Sequence, residues 1–483
     1  MKNGTKSFGE LNFGQAQLGD KRRTARLVRT ANLMCRRPGG TLPQKLNAPK
    51  DLRGAYRLFQ SEEVTHRSVL EPHQQVTLEK IVSVGRPVLV LHDATELNYT
   101  THRSLEKLGQ IGSGYGRGYI AQNSLAVDPE TREAFGLCNQ VLHRRAKVKK
   151  GETVAQKRKR KSRESLLWLQ GTASLPADWN LVDVCDQGAD TFEFLEHEVK
   201  SGRRFVIRSA HNRSVQVGHE ASQRTSELLR PHACSLEAAG HWTLQVTSKS
   251  EMKSKERRKG KKRLVKRMKR TANMAVSFGP VQIKPPRLKN GNYGNTPLPI
   301  WVVRVWEVDP PKGQERLEWF LLTNHSVNTF EDAYEVVGWY ECRWIIEEYH
   351  KGLKTGCQIE SPQFTCEDRL QPAIALISIV TLTLLSLRDA GRRKDAKERK
   401  ASEIISEDYI EILSAWRHGK VKMDWTIHDF VWAMARLGGH QNRKSDHPPG
   451  WQILWRGWID LQAMLMGADV VKQKLKDGVT PKR

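Results

Sequence analysis

The spacing of apolar residues changes several times along the chain, and each change marks a new stretch of structure. From the start to about residue 75 the spacing is helical. Asp20 is placed to cap a helix in which Arg22, Arg26 and Arg29 form one stripe, with Leu27, Val28 and Ala31 behind them. A second cluster, Gly54–Phe59 (GAYRLF), offers Tyr56 and Arg57 ahead of another helix beginning near Thr65. From Arg86 the period shortens. PVLVLHDAT reads as a buried strand ending on Asp93, and YIAQNSLAVD and EAFGLCNQVLH read as two more strands around a turn near Pro129. NLVDVCD predicts a strand ending on Asp186, followed by a helix over Phe192–Val199 and a strand, RRFVIRSAH, that carries Arg208. This alternation predicts an α/β layer with a partly parallel sheet. Residues 212–318 interrupt it with further strand-like pieces before a last strand, WFLLTN, begins at Trp319.

Beyond that strand the helical period returns. Trp339–Lys354 predicts one helix with Tyr340, Arg343, Glu347 and Lys354 on a common face, while Trp344 and Ile345 fall toward a core. The stripe is equally a solvated face with ordinary i,i+4 ion pairs. The apolar run Pro372–Leu387 is shorter than the ~18–20 residues a membrane span needs and predicts a buried helix. Past Trp416 the pattern is helical and rich in tryptophan, which suits a core or a subunit interface; we favour interface. Three parts follow from this reading: 1–75, 76–388 with its β-rich insertion, and 389–483.

Charge narrows the partner. Lys and Arg outnumber Asp and Glu by 80 to 53, a formal charge of +27 over 483 residues, which points to a polyanion and first to nucleic acid. No long basic amphipathic helix favours a membrane surface instead. Within Lys253–Arg270, 12 of 18 residues are basic, the composition of a solvated loop able to grip phosphates without reading sequence. Seven scattered cysteines without a C-x-x-C suit a reducing cytosol and argue against a structural zinc site. The N-terminus has no apolar leader-like segment, so a cytoplasmic protein is expected.

Asp93 and Asp186 at strand ends, with Glu347 on a later helix, are candidates to converge on one point outside the sheet. Packed together without a cation they would repel, by about 4 kcal/mol per pair at ~4 Å in a dielectric of ~20. Hard oxygen ligands of this kind select Mg²⁺ or Mn²⁺. Two ions ~3.5–4 Å apart can then drive in-line displacement at phosphorus. Strand-end aspartates also serve simply as helix caps.

At these residues the chain resembles the bacterial cut-and-paste DDE transposases of the Tn-five type, in the insertion-sequence-four group. The resemblance covers nearly the whole chain. Tyr340, Arg343, Glu347 and Lys354 match the family's Y-x2-R-x3-E-x6-K signature. LGDKRRTARLV (18–28) and GAYRLF match its end-binding region, VCDQGAD its second aspartate, RFVIRS the strand after that, and LEWFLLT the strand before the signature. MARLGG (434–439) and WQILWRGWIDLQ (451–462) match its dimerisation region. The resemblance implies an RNase H-like catalytic core with a β-strand insertion, between an all-α N-terminal DNA-binding domain and an α-helical C-terminal dimerisation domain. It implies Asp93, Asp186 and Glu347 as ligands of two Mg²⁺ ions per site. Tyr340, Arg343 and Lys354 would hold phosphates at the transposon end, Trp319 would stack on a flipped base, and Arg208 would sit beside the cleavage site. Arg22, Arg23, Arg26 and Arg57 would contact the end sequence.

The implied reaction is nicking to a 3′-OH, a hairpin intermediate on the flanking strand, and transfer of the ends into double-stranded target DNA, within a synapsed homodimer on the bacterial nucleoid. The chain departs from the family's usual pattern at HDATEL, where no second acid precedes Asp93, and at Asp186, where Gln187 and Gly188 replace Arg-Glu. Two alternatives stand beside this one: a catalytically inactive DNA-binding or inhibitory relative, and a structure-selective nuclease on the same core. The intact acids and complete N-terminal segment disfavour the first. Trp319 and the dimerising tail have no use in the second.

Overall fold

The computed structural model describes residues 6–146, 151–153, 156, 160, 162–177, 180–218, 225–254, 262–287, 293–443, 446 and 448–476, with backbone only over 249–266 and at 476. It is a mixed α/β protein that packs as two units, 1–148 with 344–483 and 149–343.

The first unit opens with helices α1 (Phe8–Phe13), α2 (Lys21–Arg36), α3 (Leu42–Lys45), α4 (Pro49–Phe59) and α5 (His66–Val84). Asp20 caps α2 by accepting from the amide of Arg22, as its position predicts. The first unit's sheet is antiparallel: β1 (Val88–Asn98) pairs with β3 (Arg117–Val127), which also pairs with β2 (Gly109–Gln110) and β4 (Ala134–His143).

The second unit begins with α6 (Leu167–Thr172) and β5 (Leu181–Cys185). α7 (Phe192–Lys200) then returns the chain to β6 (Arg204–Arg208), which lies parallel to β5. The insertion supplies β7 (Ser214–Val217), β8 (Thr225–Leu228), α8 (Leu229–Ser235), β9 (Gly240–Val246), β10 (Lys249–Ser254), β11 (Lys262–Arg267), β12 (Arg270–Ile283) and β13 (Leu298–Glu307), ahead of β14 (Glu318–Thr323). β14, β13, β12 and β7 continue antiparallel from β6, making this a mixed sheet. The insertion shares the unit's core: Val215, Leu229, Ile283 and Val302 pack in one cluster with Phe194 and Ile207.

α9 (Phe330–Glu341) closes the second unit, and α10 (Trp344–Lys351) re-enters the first. A π-helical turn over Gly352–Gly356 follows, then α11 (Glu367–Arg392), α12 (Glu407–His418), α13 (Ile427–Leu437) and α14 (Trp451–Lys476). α11 contains the predicted apolar run. Among the described residues it is the one helix long and apolar enough to cross a membrane, and 89% of its apolar window is buried inside the protein. All seven cysteines are free thiols.

Several expectations need correction. β1 does not end on Asp93; its ladder with β3 continues to Asn98, so Asp93 lies mid-strand opposite Asn123. The helix expected over 339–354 breaks at Cys342 and Arg343. In α9 the buried positions are Ala333, Val336, Val337, Trp339 and Tyr340, and in α10 they are Ile345, Ile346, Tyr349 and His350. The centre of the buried face shifts across the break, and Trp344, expected toward a core, is 46% exposed. The basic stretch 253–270, expected to be a loop, contains most of a two-stranded ribbon in which Ser254 faces Lys262, while residues 255–261 at its centre lie outside the described residues. The boundaries expected near 75 and 388 fall inside α5 and α11, which pack on each other.

MARLGG and WQILWRGWIDLQ meet backbone to backbone. A Cβ on Gly457 would lie 1.9 Å from the Met434 carbonyl oxygen, and one on Gly438 would lie 2.0 Å from that of Ile453. Gly457→Ala is therefore expected to cost about 2 kcal/mol or more by forcing α13 and α14 apart. Chemical denaturation of the two proteins measures it.

Candidate functional site

In the first unit Asp93 is carried by β1 and Glu347 by the first turn of α10, and these two elements pack directly on each other. Both carboxylates are half-buried. Asp93 Oδ1 accepts from the amide of Ala94 at 2.9 Å. One turn beyond Glu347, His350 places Nδ1 3.8 Å from Asp93 Oδ2. Lys354 sits in the π-helical turn instead of on a continuous α-helical stripe. Two glycines let that turn pack closely: a Cβ at Gly352 would lie 2.9 Å from the Thr381 methyl, and one at Gly356 would lie 2.6 Å from the Trp451 ring.

The second unit gathers five of the predicted residues. Asp186 follows β5 and caps the short turn 187–189, its Oδ1 accepting from the Gly188 amide at 2.8 Å. The Tyr340 hydroxyl is pushed above its usual range by burial, opposed by the Arg343 and Arg208 guanidiniums, with Asp186 near enough to act on it and Arg208 hydrogen-bonded to it. Trp319 meets the Tyr340 ring edge-on at 5.6 Å, and the Arg343 guanidinium lies 6.0 Å from that ring's centre. A phenol, two guanidiniums, an indole and a carboxylate therefore share one locus, with the donors a phosphodiester needs and a flat surface for a base.

Gln187 and Gly188, where the chain departs from the family pattern, have structural uses. Gln187 Nε2 donates to the Ser209 carbonyl at 3.1 Å, tying the Asp186 turn to the end of β6. A Cβ on Gly188 would strike the Trp168 ring at 2.5 Å. Asp190 completes the tie, accepting from the amides of Ala210 (2.7 Å) and His211 (3.0 Å) and from the Arg213 guanidinium.

The signature thus divides, with Tyr340 and Arg343 in one unit and Glu347 and Lys354 in the other. Among the described residues, neither unit by itself gathers three His, Cys, Asp or Glu side chains that could hold a metal ion. The donors at hand are carboxylate oxygens, which fit Mg²⁺ or Mn²⁺ better than a softer metal. Sequence reasoning missed His350, Asn123 and Asp190. Each gains its meaning from a contact with a residue distant in sequence, and no local pattern marks it.

In the N-terminal helices the four predicted arginines separate into two kinds. The Arg22 side chain is 93% exposed, and Arg57 is also exposed. Arg23 donates to the Leu18 carbonyl at 2.8 Å. Arg26 pairs with the buried Asp51 at 3.2 Å, and Arg29 grips the same carboxylate through two nitrogens, holding it below its usual range. The Arg26 guanidinium lies over Gly54, where a Cβ would come within 2.7 Å of it.

Residues 5–64, which contain all four of these arginines, match the transposase DNA-binding family. The match supports a DNA-binding transposase. DNA is the partner it assigns to this helical, arginine-bearing region.

Proposed function

We propose that this transposase works by cut-and-paste, as a member of the Tn-five type with an RNase H-like core. The observation that carries the reading is the gathering of Asp186, Arg208, Trp319, Tyr340 and Arg343, each a residue to which the family resemblance gives a role. The antiparallel β4–β3–β1 meander and the parallel β5–β6 pair joined through α7 support the core assignment. In this reading Asp93, Asp186 and Glu347 would hold two Mg²⁺ ions, with Mn²⁺ as a substitute, and the bound metal would supply Lewis-acid activation of the oxygen nucleophile and stabilisation of the leaving 3′ oxygen.

The chain's own residues do the rest. Arg208, Arg343 and the Tyr340 hydroxyl donate to phosphate oxygens at the transposon end, and Lys354 adds a further cation. Trp319, half-buried on β14, offers its free surface to an unstacked base. Arg22 and Arg57 contact the end sequence. The homodimer is supported by α14, where Ile459, Met466 and Val470 form an exposed apolar stripe at spacings of seven and four, the pattern of a helix that packs on a copy of itself. The protein would act on chromosomal and target DNA in the bacterial cytoplasm.

Incubation with DNA carrying the element's own ends tests the reading. With Mg²⁺ the expected products are hairpin-ended, flank-free DNA, and with EDTA there is binding alone. End-specific binding without cleavage in either Mg²⁺ or Mn²⁺ would leave a DNA-binding relative. Cleavage indifferent to the end sequence would point to a nuclease.

A further inference from the structure

A buried side-chain amide behind Asp93 sets the tautomer of a histidine that has no assigned role. Asn123, on β3 opposite Asp93, is fully buried. Its Nδ2 donates to the Ala121 carbonyl at 3.2 Å, a group that only accepts. Its Oδ1 accepts from Gln140 Nε2 at 2.8 Å. Turning the Asn123 amide over would set oxygen against oxygen at Ala121. Gln140 Nε2 also lies 2.9 Å from Ser378 Oγ, and its Oε1 lies 3.0 Å from His66 Nε2. Both of those partners can donate or accept, so the Ala121 carbonyl is the group that orients the amides.

With the Asn123 amide oriented by that carbonyl, its remaining Nδ2 hydrogen points at His350 Nε2, 3.0 Å away. A ring nitrogen that accepts a hydrogen bond carries no proton. The ring proton is therefore placed on Nδ1, the atom that faces Asp93 Oδ2. The other Asp93 oxygen is engaged by the Ala94 amide. His350 can then orient the carboxylate through the Nδ1–H dipole. It is also withdrawn from ligation, because its one lone pair is used by Asn123.

We propose that His350 is a positioning residue for Asp93, held as the Nδ1–H tautomer by the Asn123 amide. The inference rests on the reading of Asp93 as a metal ligand, and the test separates the two. Mn²⁺ binding to the full chain is measured from the electron paramagnetic resonance signal of free Mn²⁺, with thermal unfolding of each protein alongside. Asn123→Asp presents an acceptor to Nε2 and so reverses the tautomer or charges the ring. Asn123→Asp and His350→Ala are each expected to weaken Mn²⁺ binding by about tenfold. His350→Asn, which keeps a neutral donor near the Nδ1 position, should stay within about threefold of the unchanged protein.

The Asn123→Asp/His350→Ala double variant should bind no worse than His350→Ala alone, since Asn123 acts only through the imidazole. A merely structural role would instead make the two losses add and would give His350→Asn no advantage over His350→Ala. Asp93→Asn is the control. Unchanged Mn²⁺ binding in that variant would overturn the metal-ligand reading itself. Weakened binding there, with Asn123→Asp and His350→Ala both unaffected, would overturn the positioning role alone.

Discussion

Replacing Glu347 with alanine is expected to slow strand cleavage by about 10³-fold or more while leaving the affinity for DNA ends unchanged, because losing several kcal/mol of metal-borne stabilisation costs about tenfold per 1.4 kcal/mol. The fold should tolerate the change. Glu347 is half-buried in the first turn of α10, the packing there is carried by Ile345, Ile346 and Tyr349, and alanine is the stronger helix former. The adjacent acid makes the contrast. Glu348 is ion-paired with Arg388, a guanidinium whose side chain is 2% exposed, and Asp389 is the other acid on that group. Glu348→Ala leaves a buried cation short of one partner and should cost about 3 kcal/mol of stability, with activity falling only as folded protein is lost. Gel-shift, cleavage and thermal-unfolding measurements on the two variants separate the cases. Metal-dependent cleavage surviving in Glu347→Ala would remove Glu347 from the active site.

What the sequence discloses divides along the line between local and distant causes. The strands at Leu89–Leu91, Leu181–Cys185 and Arg204–Arg208 are legible because a short apolar run buried on both sides needs no knowledge of its neighbours. α11 is legible for the same reason: its run is too apolar to face water. The end of β1 is not, because Asp93–Glu96 look like a turn until β3 supplies the ladder that keeps them extended. The break before Trp344 is hidden too, because spacing along one segment cannot show that two segments bury different faces. The cluster around Tyr340 is legible only through the family resemblance. Its members come from the turn after β5, from β6 and β14, and from the end of α9 and the break that follows it, and chemistry at any one of those positions is ordinary. His350 and Asn123 mark the limit of such reading, since an amide's role here depends on which way it is turned.

The same distinction decides which arginines should bind DNA. Arg22, Arg23, Arg26 and Arg57 look alike in sequence, but a guanidinium already committed to a protein acceptor gains less from a phosphate or base edge than a solvated one. Arg23 is held by the Leu18 carbonyl, and Arg26 shares the buried Asp51 carboxylate with Arg29. Arg57 is open to solvent, and Arg22, also exposed, makes a long surface ion pair of 3.7 Å with Asp20 that contributes little. Arg22→Ala/Arg57→Ala is therefore expected to weaken end binding by about 10²-fold and to lower the slope of log K against log salt by about 2 if both touch phosphate, with the unfolding temperature unchanged. Asp51→Ala should do the reverse. It strands two cations on the surface of α2, costs about 2–3 kcal/mol of stability, and leaves the salt slope intact once the protein is folded. Fluorescence anisotropy across a salt series, paired with thermal unfolding, reads both quantities. Normal end binding by the Arg22/Arg57 double variant, with binding lost and stability kept in Arg26→Ala, would reverse the assignment. It would mean that Asp51 stores Arg26 for DNA, giving it up when the end arrives.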